Sequence, residues 1–381
     1  MDFNLFDDQY EHFLPLSLTR PVGVLRIGIG TIADKWQMAL SGHAGFDTRK
    51  SLSDLFPRNK ADLHINGRLI PDQNLVEAIK KLQPEQTLMG KNTILAYRSP
   101  QGVQNVPYLG DVSLLSRPTD LFALNDLVLK SDFKLITHGR KSQPLPGHCL
   151  LIGPTDQLFI EEGAQLLAST FNTTDGPIYI GHRSTVMEGC QIRGPFALGD
   201  GATLKMGAKI YGATTIGPAC KVGGEVSNSV FFGFSNKAHD GFVGNSIIGE
   251  WCNLGADTNT SNLKNNYSTV KLWDYTHSNY HDSGLTFCGL IMGDHSKSAI
   301  NTQFNTGTTV GAHSNIFGSG FPPKAIPSFA WGGAESMETF DFDKALEVAR
   351  RVKARRSQKV DDKEVHLMRH IFDQSARFHE E

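Results

Sequence analysis

From residue 180 onward an aliphatic side chain recurs every six positions. Ile180, Val186, Ile192, Leu198, Leu204, Ile210, Ile216 and Val222 keep this phase without a slip. The phase returns at Ile248 and Leu254, then at Met292, Phe304, Val310 and Ile316, with Ser298 filling one slot. A helix repeats every 3.6 residues and a strand every two, so neither accounts for the spacing. A six-residue period predicts a parallel β-helix of hexapeptide repeats, in which three short faces make a coil and the branched residue points into a shared core. Four residues after the aliphatic position a small side chain usually follows, as at Ser184, Cys190, Ala202, Ala208, Thr214, Cys220, Cys252, Thr258, Ser296, Thr302, Thr308 and Ser314. A narrow coil has room for one large and one small inward side chain per face.

Residues 1–145 lack this period and read as a separate α/β domain. The apolar stretches 62–65 and 93–97 predict strands, and Leu75, Ile79 and Leu82 at helical spacing predict a helix over 74–82 that stops at Pro84. Thr119 opens a second expected helix, with Leu121, Leu124 and Val128 on one face. Strands alternating with helices favour a parallel sheet. RKSQPLPGHC at 140–149 has linker composition. The β-helix is expected over 150–330, closing where FPPKAIPSFAWGG (321–333) introduces paired prolines. Leu346, Ala349 and Val352, then Val365, Met368, Ile371 and Phe372, predict C-terminal helices within 337–381. The basic run RRVKARR (350–356) lies in them, as a solvated face or as a contact for coenzyme A phosphates.

Charge changes the picture only by exclusion. With 37 basic and 39 acidic residues, the chain carries no electrostatic footprint for nucleic acid or an anionic membrane. No apolar run approaches the roughly 20 residues needed to span a bilayer, and MDFNLFDDQY lacks the basic start and apolar centre of a signal peptide. A cytoplasmic protein is expected. Of the five cysteines, Cys190, Cys220 and Cys252 fall in the small inward slot and are expected to pack as small hydrophobes. Asp274, His277, His281 and Asp282 fit no metal-ligand spacing, so 263–289 reads as a solvated loop and no metal site is expected.

Two stretches carry a family resemblance. PLSLTRPVGVLRIGIGTIADKW (15–36), followed by INGRLIP (65–71), resembles the start of the sugar-phosphate nucleotidyltransferases. That family has a glycine-rich phosphate loop, a lysine after the proline and a magnesium-holding aspartate. Here the corresponding positions hold DDQYEHF (7–13), Val22 and Arg68. Acidic and bulky residues repel or block phosphates, and nucleotidyl transfer depends on charge neutralisation. The domain therefore reads as degenerate, and magnesium enters only if it is active. Arg20, Arg26 and Arg68 either hold an anionic ligand or pair with local carboxylates.

The second stretch, GFSNKAHDGFVGNSIIGEWCNLGADTNTSNL (233–263), resembles the acetyltransferase half of the bifunctional GlmU family, which pairs N-acetylglucosamine-1-phosphate uridylyltransferase with glucosamine-1-phosphate acetyltransferase. The resemblance implies a left-handed hand for the β-helix and a homotrimer. It places the catalytic histidine on His239, sugar contacts on Asn253, Asn262 and Asn228, and implies acetyl-CoA as co-substrate, for which Lys324 is the expected phosphate contact. His239 also stands on its own chemistry. It lies off the aliphatic phase, and an imidazole titrating near 6.5 accepts a proton from an attacking amine. Departures are Phe242 for the family's tyrosine, Asn228 and Ser229 near its upstream lysines, and Asp257 within GADT. The expected function is acetyl transfer to an amino-sugar phosphate, a small-molecule partner. A sugar-1-phosphate nucleotidyltransferase and a non-catalytic sugar-nucleotide-binding scaffold stay open beside it.

Overall fold

A computed structural model describes residues 1–375; the helical expectation extended to His379, which lies outside the described residues. The first compact unit comprises Met1–Phe13, Thr19–Leu25 and Gly30–Arg117. In its six-stranded sheet Phe3–Phe6 runs parallel to both Ala44–Asp47 and Leu63–Asn66. Ile94–Arg98 then pairs antiparallel with Leu63–Asn66 and with Gln86–Met89. The sheet is therefore mixed, where the alternation of strands with helices favoured a parallel one. Residues 90–93 are too few to make a crossover, so the two strands they join form a hairpin. The expected helix is Gln73–Lys80, capped by the Asp72 carboxylate accepting from the Leu75 amide at 3.0 Å, with Leu75, Val76 and Ile79 buried.

The second unit holds the β-solenoid. Three sheets of short, mostly parallel strands run along it, six, nine and ten strands long; the six-stranded one ends at Phe242–Gly244, and Asn259–Thr260 with Gln303–Phe304 forms a separate parallel pair. On one face Leu166, Val186, Leu204 and Val222 stack in register; Leu254, Ser298 and Ile316 continue the column. Every aliphatic residue of the six-residue phase is at most 2% exposed, so each contributes about 1.5–3 kcal/mol of burial. Ser298 is accommodated because Thr258 Oγ1 lies 2.9 Å from its hydroxyl. Cys190, Cys220 and Cys252 are buried and free. Burial pushes the Cys220 thiol up to about 12. Gly217 shows why corners take glycine, since a Cβ there would lie 1.7 Å from the Phe232 carbonyl oxygen.

The solenoid does not stop at the paired prolines. Ala325–Ile326 and Ala330–Gly332 add a further parallel rung, and Met337–Thr339 turns back antiparallel over the last strand. Pro322 and Pro323 sit in the connection before that rung, where no ladder donor is lost. The expected loop at 263–289 is an ordered excursion, with Lys271–Asp274 and Asn279–Asp282 paired as a hairpin. The helix expected from Thr119 is two, Asp120–Ala123 and Asn125–Thr137. Both lie in the second unit, where Leu129 and Phe133 pack on Phe159, Tyr179, Ala197 and Ala213, although the sequence grouped them with 1–145.

Along one corner of the solenoid rings stack in the order Phe234, Trp251, His295, His313, Phe329, with centroids 4.3, 6.1, 4.8 and 4.9 Å apart. The C-terminal helices Phe342–Ala354 and Asp362–Ser375 dock there through Phe342 and Phe372, the latter edge-on to Phe329 at 5.0 Å. Lys353 pairs with Glu364 between the helices and lies over the Trp251 ring. Among the described residues, no helix is long and apolar enough to cross a membrane.

Candidate active site

His239 stands exposed on the corner between the strands Asn236–Lys237 and Phe242–Gly244. The corner is tied on both sides. The Glu225 amide donates to the Gly241 carbonyl at 3.2 Å from the preceding coil, and the Asp257 amide donates to the Asp240 carbonyl at 3.1 Å from the following one. Asp257 is exposed beside it, and Asn259 bridges the two coils, donating to the Asp257 carbonyl at 3.0 Å and accepting from the Phe242 amide at 2.8 Å.

The other expected residues are not all gathered there. Asn253 is exposed on the neighbouring face, in register with Asn236. Asn262 lies at the far end of the face that Phe242–Gly244 begins, and its amide donates to the Asn245 side chain at 2.8 Å. Asn228 occupies a positive-φ corner, and the Asn245 amide on the following coil donates to the carbonyl of its neighbour Ser227 at 3.0 Å. The Phe242 ring lies against Gly244 alongside the Asn262 amide, so the missing tyrosine hydroxyl leaves an apolar surface between the two corners. Lys324 lines a groove of about 560 Å³ with Ser261, Lys264, Asn266, Asn305 and Phe321, on the Asn262 side. Its ammonium donates to the Lys271 carbonyl at 3.3 Å, and burial, reinforced by the charge of Lys264, pulls its pKa down.

Two features escaped the sequence reading. Lys237 is an inward residue, in register with Val222 in the aliphatic column and 1% exposed. Coil length was the signal that would have found it. The inward spacing is 18 residues from Leu204 to Val222, then shortens to 15 and 17 as the column passes through Lys237 to Leu254. The second feature is a cluster of cations beside the same strand. Arg356 donates to the Asn236 side chain at 3.3 Å, and Lys221 is the ladder partner of Asn236. The charge of Arg356, then burial, Lys205 and Arg355, pulls the Lys221 pKa down. The run 350–356 thus reaches the solenoid next to the His239 corner.

In the first unit the positions of the nucleotidyltransferase resemblance are filled by mutually satisfied groups. Asp7 accepts from the Val22 amide at 2.7 Å and from the Thr48 hydroxyl at 2.5 Å, with Arg49 3.8 Å away. Burial raises its pKa against those bonds. Arg68 is 3% exposed, donating to Asp8 at 2.5 Å and to the Leu115 carbonyl at 3.1 Å. Of the three arginines singled out, Arg68 is thus paired, while Arg26, in the second unit, donates to the Ile29 carbonyl at 3.1 Å and Arg20 is buried. An arginine bonded to a carboxylate does not fit a magnesium ion. On the hairpin Asp274 accepts from His277 at 2.8 Å, and Asp282 accepts from Thr269 at 2.6 Å.

Taken together, these observations define a nucleotidyltransferase-type α/β domain followed by a hexapeptide β-solenoid with a histidine-bearing corner. Residues 3–141 match the family model for a sugar nucleotidyl transferase. The chain is GlmU-like. It is 25% identical over 261 residues to the bifunctional protein GlmU of Synechococcus elongatus, a match covering 61% of this chain and 53% of that protein. It is 35% identical over 89 residues to GlmU of Methanocaldococcus jannaschii, covering 23% and 21% of the two chains. The chain therefore spans about half the length of the first of these relatives. A solved Arabidopsis UDP-N-acetylglucosamine acyltransferase covers 62% of this chain and 96% of its own at 14% identity, with a TM-score of 0.27 that is too low to carry weight.

Proposed function

We propose that the solenoid transfers an acetyl group from acetyl-CoA to the amine of an amino-sugar phosphate, glucosamine 1-phosphate being the type substrate, with His239 as general base. The observation that carries the reading is an exposed histidine on a corner held from both neighbouring coils, within the stretch that resembles GlmU. The amine attacks the thioester carbonyl while the imidazole takes its proton, and collapse of the tetrahedral adduct releases the coenzyme thiolate. The adduct's oxyanion needs a donor. In the NLGADT turn the Gly255, Asp257 and Thr258 amides donate to the carbonyls of Ser298, Asp240 and Gly255, which leaves the Ala256 N–H, among the described residues, as that turn's donor. Asn259 and Asp257 border the acceptor's place, and the Lys205, Lys221 and Arg356 charges favour a phosphorylated substrate beside it.

The Lys324 groove, proposed for the coenzyme phosphates, lies at the opposite end of the face from His239. A homotrimer would bring a neighbouring copy's groove to each His239, with Asn262 and Asn228 contacting the sugar there. Asn253, on the adjoining face with Asn236 and Arg356, is assigned to the phosphate side. The first domain serves as a binding or structural module, because the groups that would work on a nucleoside triphosphate are bonded to one another.

His239→Ala tests the assignment. The residue is exposed and packs in no core, so the variant should melt with the parent. Its acetylation of glucosamine 1-phosphate should fall by at least about a hundredfold. Acetylation at the parental rate would remove His239 from the mechanism.

A further inference from the structure

Lys237 stands where an aliphatic side chain stands in the coils before and after it. Its ladder partner Val222 and the next residue of the column, Leu254, are both buried, and Lys237 itself is 1% exposed. Its ammonium turns back under the corner, donating to the His239 carbonyl at 2.5 Å and to the Asp240 carbonyl at 2.9 Å. Neither bond is part of the solenoid ladder. The first is to the main chain of the proposed base, and the second is to the same Asp240 carbonyl that receives the Asp257 amide.

A buried ammonium is costly, and an apolar residue of similar volume generally replaces one without loss of stability. From Leu166 to Ile316 the column supplies that replacement in every other coil but one, where Ser298 stands. The lysine therefore does something that a methionine there would not. The corner needs a clamp because residues 238–241 belong to no strand. They follow a coil shortened to 15 residues, and Gly241 has a φ of 112°. Without the ammonium the His239 carbonyl loses its donor and the Asp240 carbonyl keeps only the Asp257 amide, so the exposed corner is free to turn toward water and give up its fixed geometry.

We infer that Lys237 is a positioning residue, whose ammonium clamps the His239 and Asp240 carbonyls and so fixes the imidazole toward the bound acceptor. The inference rests on His239 being the base. The charged groups facing the ammonium are the Asp240 and Asp257 carboxylates. Burial outweighs them and pulls the Lys237 pKa down to about 8, so the clamp weakens within an accessible pH range.

Lys237→Met keeps the volume and removes the clamp. The expected melting temperature is parental or higher, whereas a lysine needed only for folding would lower it. Hydrogen exchange at the Glu225 and Asp257 amides, which donate to the Gly241 and Asp240 carbonyls, should quicken by about tenfold or more. Acetylation kcat should fall by about ten- to a hundredfold with KM within about threefold of the parent. In the parent, exchange at those amides should also rise, beyond its chemical pH dependence, as pH passes 8, and kcat should fall there; the methionine variant should show neither limb. Parental exchange at both amides in Lys237→Met overturns the inference whatever the activity. If the corner loosens but neither parent nor variant acetylates an amino sugar, the clamp stands and the reading of His239 fails. Should the methionine variant not fold, the parental exchange profile decides alone, and a flat profile through pH 8 overturns the inference.

Discussion

Two polar regions of this chain make opposite use of their charges. Around Asp7, Asp8 and Arg68 every charge is turned onto another group of the protein, and the arginine is almost fully buried. At the 236–259 corner the side chains of His239, Asp240 and Asp257 face solvent, while the one buried charge, Lys237, holds the backbone beneath them. The first arrangement serves packing, since its donors and acceptors are satisfied without a ligand. The second leaves functional groups outward and fixes their main chain, as preorganisation for a reaction requires. Resemblance to an enzyme family covers both regions, so the difference lies in the geometry of particular side chains.

The largest effect expected from this contrast is on stability. Arg68→Ala leaves the Asp8 carboxylate with the Asn66 amide but without this countercharge, and leaves the Leu115 carbonyl without its guanidinium donor. A fully buried broken pair costs about 3–5 kcal/mol; because Asp8 is partly exposed, a cost near the lower end, about 3 kcal/mol in denaturant unfolding, is expected. His239→Ala should cost nothing measurable in the same experiment. Equal losses in the two variants would erase the distinction between a structural and a functional region.

The ring column under the C-terminal helices extends the comparison to a third, intermediate case. His313 is stacked between His295 and Phe329, and burial, with the charge of Lys297 added, holds its pKa down to about 3. Above about pH 6.5 the imidazole is neutral in both folded and unfolded chains. Below that the unfolded chain takes up a proton that the folded one refuses until about pH 3, so stability falls steadily across this window. At pH 5 the loss should be about 2 kcal/mol. His313→Phe should keep the stack and flatten this limb in melts between pH 7 and 4.5. An unchanged acid limb would show that His313 is not the group responsible.

How much of this was legible depended on how strictly each position is constrained. Inward slots of a solenoid accept a narrow range of volumes in every coil, so Ile180 to Ile316 announced themselves by spacing alone, and the small residues such as Cys190 and Thr258 did the same. Lys237 was hidden because the coil shortens just before it, which moves the phase and makes an inward residue look like part of a loop. The prolines at 322 and 323 were misread as an end because their place in a connection, and not in a strand, depends on where the corner falls. The mixed sheet followed from the short 90–93 turn, whose meaning depends on which strands it joins. Spacing identified His239 as lying off the core phase, yet Asn228, Asn253 and Asn262 came from resemblance only and Lys324 from its place beside the closing prolines, and one chain does not gather them at one corner.

That dispersal gives the smallest predicted effect and the sharpest use of it. If the Lys324 groove receives the coenzyme, its lysines act on a phosphate and not on the reacting carbonyl. Lys324 and Lys264 line the same groove, and their like charges oppose each other until an anion enters. Lys324→Ala should therefore raise KM for acetyl-CoA by about tenfold, roughly 1.4 kcal/mol, and leave kcat unchanged, the pattern of an interaction made equally in ground and transition states. The difference between parent and variant should shrink with rising salt, and should vanish for an acetylated pantetheine that has no phosphates. KM for the amino sugar should stay parental. A fall in kcat instead would place Lys324 near the reacting atoms and join the two ends of the face into one site within a single chain. An unchanged KM would leave the groove without the coenzyme and return the phosphate contact to Lys221, Arg355 and Arg356 beside the His239 corner.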